Sequence, residues 1–139
     1  MQLLAAVVAL ALVVAANAGT LYRARYPLVG GPAFLKLHVA VLYESESKLT
    51  QFDFLPINPT ALTTAAKLLT LQRTEGVCRE RELKFRPRGI EKIGETRATL
   101  DDLRGYTREH DTALHLIENS CSTYADRLLQ VFVIADELC

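Results

Sequence analysis

The chain has 139 residues, of which 50% are hydrophobic and 23% charged, the composition of one globular domain with a core of its own and little room for a second. Sixteen basic residues balance sixteen acidic ones, so no net field recruits nucleic acid or an anionic membrane surface, and any partner must be met by a local patch. Tryptophan is absent and aromatic residues make up only 7%.

Leu3 to Ala16 is an unbroken apolar run, short of the roughly 20 residues a comfortable membrane span needs. Ala16-Asn17-Ala18 follows as a small-x-small cleavage pattern, so residues 1–18 read as a signal peptide cut after Ala18. The alternative is a retained membrane tether through residues 3–16, held by Arg23 and Arg25 beyond it. The first forty positions lack acidic residues, which also leaves chloroplast or mitochondrial targeting open. The expected location is the secretory pathway, secreted or anchored. Residues 19–33, with Pro27, Gly30, Gly31 and Pro32, read as a tether, and residues 34–139 as a single domain.

Phe34 to Tyr43 reads as a strand with Leu35, Leu37, Val39, Val41 and Tyr43 on one face and Lys36, His38, Ala40 and Leu42 on the other. Both faces are mostly apolar, which predicts a central strand. Glu44 to Lys48 is a polar turn and Leu49 to Leu55 the next strand, paired antiparallel. Pro56 closes it. Asn58-Pro59 predicts a helix start, with Asn58 as cap, Leu62, Ala65, Ala66 and Leu69 as the buried stripe and an end near Gln72.

Ile90 to Gly94 reads as a short strand, and Thr99-Leu100-Asp101-Asp102 as the capped start of a helix ending near Arg108. Thr112 to Ile117 is a strand or an extended lead-in. The last helix is expected from about Ser120 to Leu138, with Cys121, Tyr124, Ala125, Leu128, Leu129 and Phe132 on one stripe. A rival start exists: Thr123 followed by Asp126 also fits a capping pattern and would leave Cys121 in the preceding loop. The fold class expected is α+β, a small antiparallel sheet packed with about three helices.

Cys78, Cys121 and Cys139 make an odd set, so in an oxidising compartment one thiol stays unpaired or bridges to another chain. Cys121 with Cys139 is the simplest pair. About 18 positions on one straight helix would hold them too far apart, so a turn near Asp136 would be needed. The basic run from Arg79 to Arg88 alternates with Glu80 and Glu82 and offers only Phe85 for stacking, the pattern of a solvated strand face rather than a nucleic-acid surface. His38, His110 and His115 lack the spacing of zinc ligands, no C-x-x-C is present, and neither a glycine-rich phosphate loop nor a nucleophile elbow occurs. No metal or cofactor is expected.

A thiol at a helix start is favoured as thiolate by the helix dipole and the unpaired N–H groups there, and an imidazole on a neighbouring strand can take its proton. Cys121 and His38 fit those two roles, although each also reads as ordinary packing, a small core residue and a rim histidine. The segments Leu37-His38-Val39-Ala40-Val41-Leu42-Tyr43 and Asn119-Ser120-Cys121-Ser122-Thr123-Tyr124-Ala125-Asp126-Arg127-Leu128-Leu129 together resemble the circularly permuted papain-like proteins. These include the lecithin:retinol acyltransferase-like and PPPDE peptidase families of the wider NlpC/P60 group. The resemblance implies a permuted papain-like fold, with Cys121 as nucleophile, His38 as base and an orienting residue on the following strand, where Gln51 and Asp53 share one face. Asp53 would hold an imidazolium more firmly; His115 is a substitute base. The function this implies is a cysteine-dependent hydrolase or acyltransferase acting on an amide, thioester or ester. The alternative is a non-catalytic interaction domain of the same fold, secreted or membrane-tethered.

Overall fold

The computed structural model describes residues 18–27, 38–58 and 61–134. Among them are six strands and three helices: β1 (Gly19–Tyr26), β2 (His38–Ser45), β3 (Lys48–Pro56), α1 (Leu62–Leu69), β4 (Thr74–Leu83), β5 (Glu91–Thr96), α2 (Leu100–Arg108), β6 (Ala113–Leu114) and α3 (Cys121–Phe132). The strands form one antiparallel sheet in the order β5-β1-β2-β3-β4-β6, so the protein is α+β.

β2 is the hub, as its two apolar faces require. Every residue from Val39 to Tyr43 is buried, between β1 on one side and β3 on the other. The hairpin to β3 turns at Glu46 and Ser47, both with positive φ (53° and 66°), the left-handed conformation that lets a two-residue turn follow the twist of its strands. Val39, Val41 and Tyr43 join Phe52 and Phe54 of β3 under the helices, where Leu103 of α2 and Tyr124, Ala125, Leu128 and Leu129 of α3 close the main core. Ala24, Leu42 and Leu49 form a second, smaller cluster with Tyr22, Tyr26, Leu83 and Ile90. Gly76 of β4 is required by this packing, because a Cβ there would stand 2.5 Å from the Phe54 ring.

The α2 start is as predicted: the Thr99 hydroxyl accepts from the Asp102 N–H, and the Asp102 carboxylate accepts from the Thr99 N–H. The predicted strand near Ile90 is β5, and the extended lead-in contains the two-residue β6.

Elsewhere the structure corrects the sequence reading. Gly19–Tyr26, expected as tether, is β1, hydrogen-bonded along both edges to β2 and β5. Its apolar and polar residues do not separate by face, so its strand character comes from pairing rather than from pattern. The stripe predicted to be buried in α1 is exposed: Leu62 is 87% and Leu69 80% accessible, with Ala65 and Ala66 also exposed and only Thr64 buried. Helical periodicity marks an apolar face but not the surface it meets. Asn58 caps nothing in α1, whose N-cap is Ala61 without a side-chain bond, and the helix stops at Leu69. α3 ends at Phe132 rather than near Leu138, because Val133 bridges to Thr96 and the Ile134 N–H bonds the Glu95 carbonyl at 2.8 Å, returning the chain to the β5 edge.

The apolar run of residues 3–16, the cleavage pattern, Phe34 to Leu37, Pro59, and Cys139 with the turn near Asp136 all lie outside the described residues. No described helix is long and apolar enough to cross a membrane.

Candidate active site

The site is built at the end of the sheet where β2 begins and β3 finishes. His38 is the first residue of β2, and the register pairs Ala40 with Asp53, which by alternation puts His38, Ala40, Asp53 and Gln51 on one face. The His38 Nε2 lies 2.8 Å from the Asp53 Oδ2. Asp53 is 1% accessible, and a carboxylate held that far from water must be partnered to stay charged.

It has three partners. Besides His38, Arg79 on β4 donates from Nε to Oδ1 at 3.2 Å and from Nη2 to Oδ2 at 2.8 Å, the two-point geometry that a planar guanidinium matches. The Gln51 Nε2 donates to Oδ2 at 3.3 Å, while the Gln51 Oε1 accepts from the Tyr26 hydroxyl at 2.8 Å. Gln51 therefore stands behind Asp53 and not against the imidazole, so of the two predicted orienting residues only Asp53 touches His38. Tyr26, opposite His38 in the β1–β2 register, lies with its ring centroid 6.4 Å from the imidazole.

Cys121 arrives from the other side of the fold. It is the first residue of α3, and Ser120 is the cap: its hydroxyl accepts from the Thr123 N–H at 3.5 Å, and the Thr123 hydroxyl accepts from the Ser120 N–H at 2.7 Å. Thr123 is thus the third residue of the capped turn, which rules out the later start and keeps the sulfur at the positive end of the helix. The Cys121 side chain is hydrogen-bonded to His38, and backbone N–H groups of Val39 and Ser122 also bond the sulfur.

These contacts set the charges. Burial acts to lower the His38 pKa, but the hydrogen bonds to Asp53 and Cys121 and the negative charges of both outweigh it and raise the value to about 9. Burial acts to raise the Asp53 pKa, and the bonds and charges of His38 and Arg79 overcome it to leave about 2. Burial also pushes the Cys121 thiol up, yet the His38 bond, the Val39 N–H and the imidazolium charge bring it below the ordinary cysteine value. The three directions agree with one another: His38 carries positive charge between the Asp53 carboxylate and a thiol that ionises more readily than an ordinary cysteine.

The remaining candidates are occupied otherwise. The His115 Nε2 lies 3.0 Å from the Leu71 carbonyl, and its Nδ1 accepts from the Ile117 and Glu118 N–H groups, so it ties a loop together and is no substitute base. His110 packs edge-on against the rings of Phe54 and Tyr124, and burial lowers its pKa. Among the described residues no cluster of three or more His, Cys, Asp or Glu side chains could hold a metal ion.

Sequence reasoning did not find Arg79 or Tyr26. Arg79 lies in the basic run that reads as an exposed face, although an arginine directly across from a buried aspartate is a legible signal once the β3–β4 register is known. No family model, curated protein or solved structure matches the chain.

Proposed function

We propose that this protein is a cysteine-dependent hydrolase or acyltransferase acting on an amide, thioester or ester, with Cys121 as nucleophile, His38 as acid and base, and Asp53 as the residue that orients His38. The observation that carries the reading is the chain of interactions from Asp53 through the His38 imidazole to a thiol at a helix start. The order of these residues along the chain, histidine and acid on successive strands and cysteine on a late helix, is that of the permuted papain-like families the sequence resembles.

In this reading the Cys121 thiolate attacks the carbonyl carbon, and the π pair of the C=O bond moves onto oxygen. With the Ser122 N–H on the sulfur and the Thr123 N–H on the Ser120 cap, the Cys121 N–H of the same turn is the candidate donor for that oxyanion. Collapse re-forms the C=O bond and expels the amine, alcohol or thiol, which takes the proton from the His38 imidazolium. The neutral imidazole then removes a proton from water or an acceptor nucleophile, which attacks the thioester; Cys121 leaves as thiolate and the proton stays on His38. Asp53 remains ionised and fixes the ring throughout.

The test is acyl transfer to Cys121 itself. Incubated with p-nitrophenyl acetate, the protein should release a burst of p-nitrophenol and carry the acetyl group on Cys121 by peptide mass mapping, and C121S should do neither. Acetylation spread over lysines with no burst, or a disulfide from Cys121 to Cys139, would count against the reading.

A further inference from the structure

The bonds around Asp53 include one that the three-residue scheme does not need. We propose that Arg79 is a positioning residue of this centre, clamping the Asp53 carboxylate at two points from the neighbouring strand so that Oδ2 is held facing the His38 Nε2. The inference rests on the reading of Cys121, His38 and Asp53 as a catalytic set and adds a fourth member to it.

Three observations converge. Arg79 is the register partner of Asp53, so the strand pairing delivers the guanidinium to the carboxylate without a long reach. Both carboxylate oxygens are engaged, Oδ1 by Nε and Oδ2 by Nη2, which stops the carboxylate turning about its last bond; an ammonium group cannot do this. Gln51 approaches Oδ2 from a third direction and is itself held by Tyr26, so the orientation is over-determined. An arginine on a strand edge has water available to it. Arg79 spends its fork on a buried acid even though its side chain is 42% accessible. R79K keeps a positive charge beside the buried acid, so a variant that lacks the fork without leaving Asp53 uncompensated is at hand.

The experiment is NMR observation of the His38 Nε2 proton in the full chain, with iodoacetamide labelling of Cys121 at about pH 6 measured in parallel. R79M should speed exchange of that proton by about tenfold or more and slow Cys121 labelling severalfold, and R79K should behave like R79M because it keeps the charge but loses the fork. In a D53N background, adding R79M should change nothing further, whereas a general effect on β4 would persist there. An R79M or R79K protein indistinguishable from wild type, or an undiminished R79M effect on D53N, overturns the role of Arg79 alone. A D53N protein with wild-type exchange and labelling would instead sink the catalytic set on which the inference stands.

Discussion

Cys78 and Cys121 are both half-buried and both pack on the main core, yet their thiols are driven in opposite directions. Cys78, across β4 from Phe54, is pushed up to about 11 by burial, with the negative charge of Asp53 adding to the effect. Cys121 also bears a burial penalty and still ends below the ordinary value. What separates them is His38. Acting directly on a thiol, the Asp53 carboxylate repels the developing thiolate; acting through an imidazole it holds a positive charge in place and so attracts it. Burial alone makes a cysteine inert, and one bridging histidine reverses the sign.

The largest expected effect measures that contrast directly. At near-neutral pH, iodoacetamide should alkylate Cys121 at least about tenfold faster than Cys78, since a lower pKa raises the thiolate fraction by more than it lowers the nucleophilicity of the thiolate. Equal rates, read by peptide mass spectrometry, would erase the distinction. H38Q should remove most of the difference by raising the Cys121 thiol, leaving its labelling at about pH 6 at least tenfold slower.

Next in size is the acid limb of stability. The folded pKa of Asp53 is depressed from the usual 3.8 to about 2, so its contribution is present above the upper value and lost as pH falls through the lower one. Chemical denaturation from about pH 4 down to 2 should show a loss of roughly 2 kcal/mol in the wild type that D53N does not show.

The alkaline side sharpens the comparison further. His38 has its pKa raised from 6.5 to about 9, so its contribution is complete below 6.5 and lost as pH rises through about 9. Cys121 has its pKa lowered, so its contribution is present above the ordinary cysteine value and grows as pH rises toward it, which offsets the histidine over the same window. C121S removes the offset. It also lowers the His38 pKa, because the bond and charge of Cys121 help to raise it, so stability should begin to fall at a lower pH than in the wild type, and coincident curves would show that the two groups are not coupled. The smallest effect is expected for S120A, which loses one side of the capped turn at a cost of about 1 kcal/mol and slows Cys121 labelling only a few-fold.

How far the site was legible depends on which interactions are local. The Thr99 cap, the β2 alternation and the placement of Cys121 at a helix mouth follow from residues within a few positions of one another, and the structure has them. The α1 stripe and the tether assignment failed because periodicity and composition describe one segment at a time. A helix face is buried only if another element reaches it, and Gly19–Tyr26 is a strand only because β2 and β5 lie beside it.

By itself the sequence determined the α+β class, the hairpin of β2 and β3, and the candidate residues Cys121, His38 and Asp53, since propensity, alternation and capping are written in neighbouring side chains. Tertiary structure decided that His38 stands between Asp53 and Cys121, that Gln51 lies one step back, and that Arg79 closes on the carboxylate. Those are contacts between residues up to 83 positions apart in the numbering, from His38 to Cys121. Register and helix placement, which set them, are properties of the packed sheet and of no single segment.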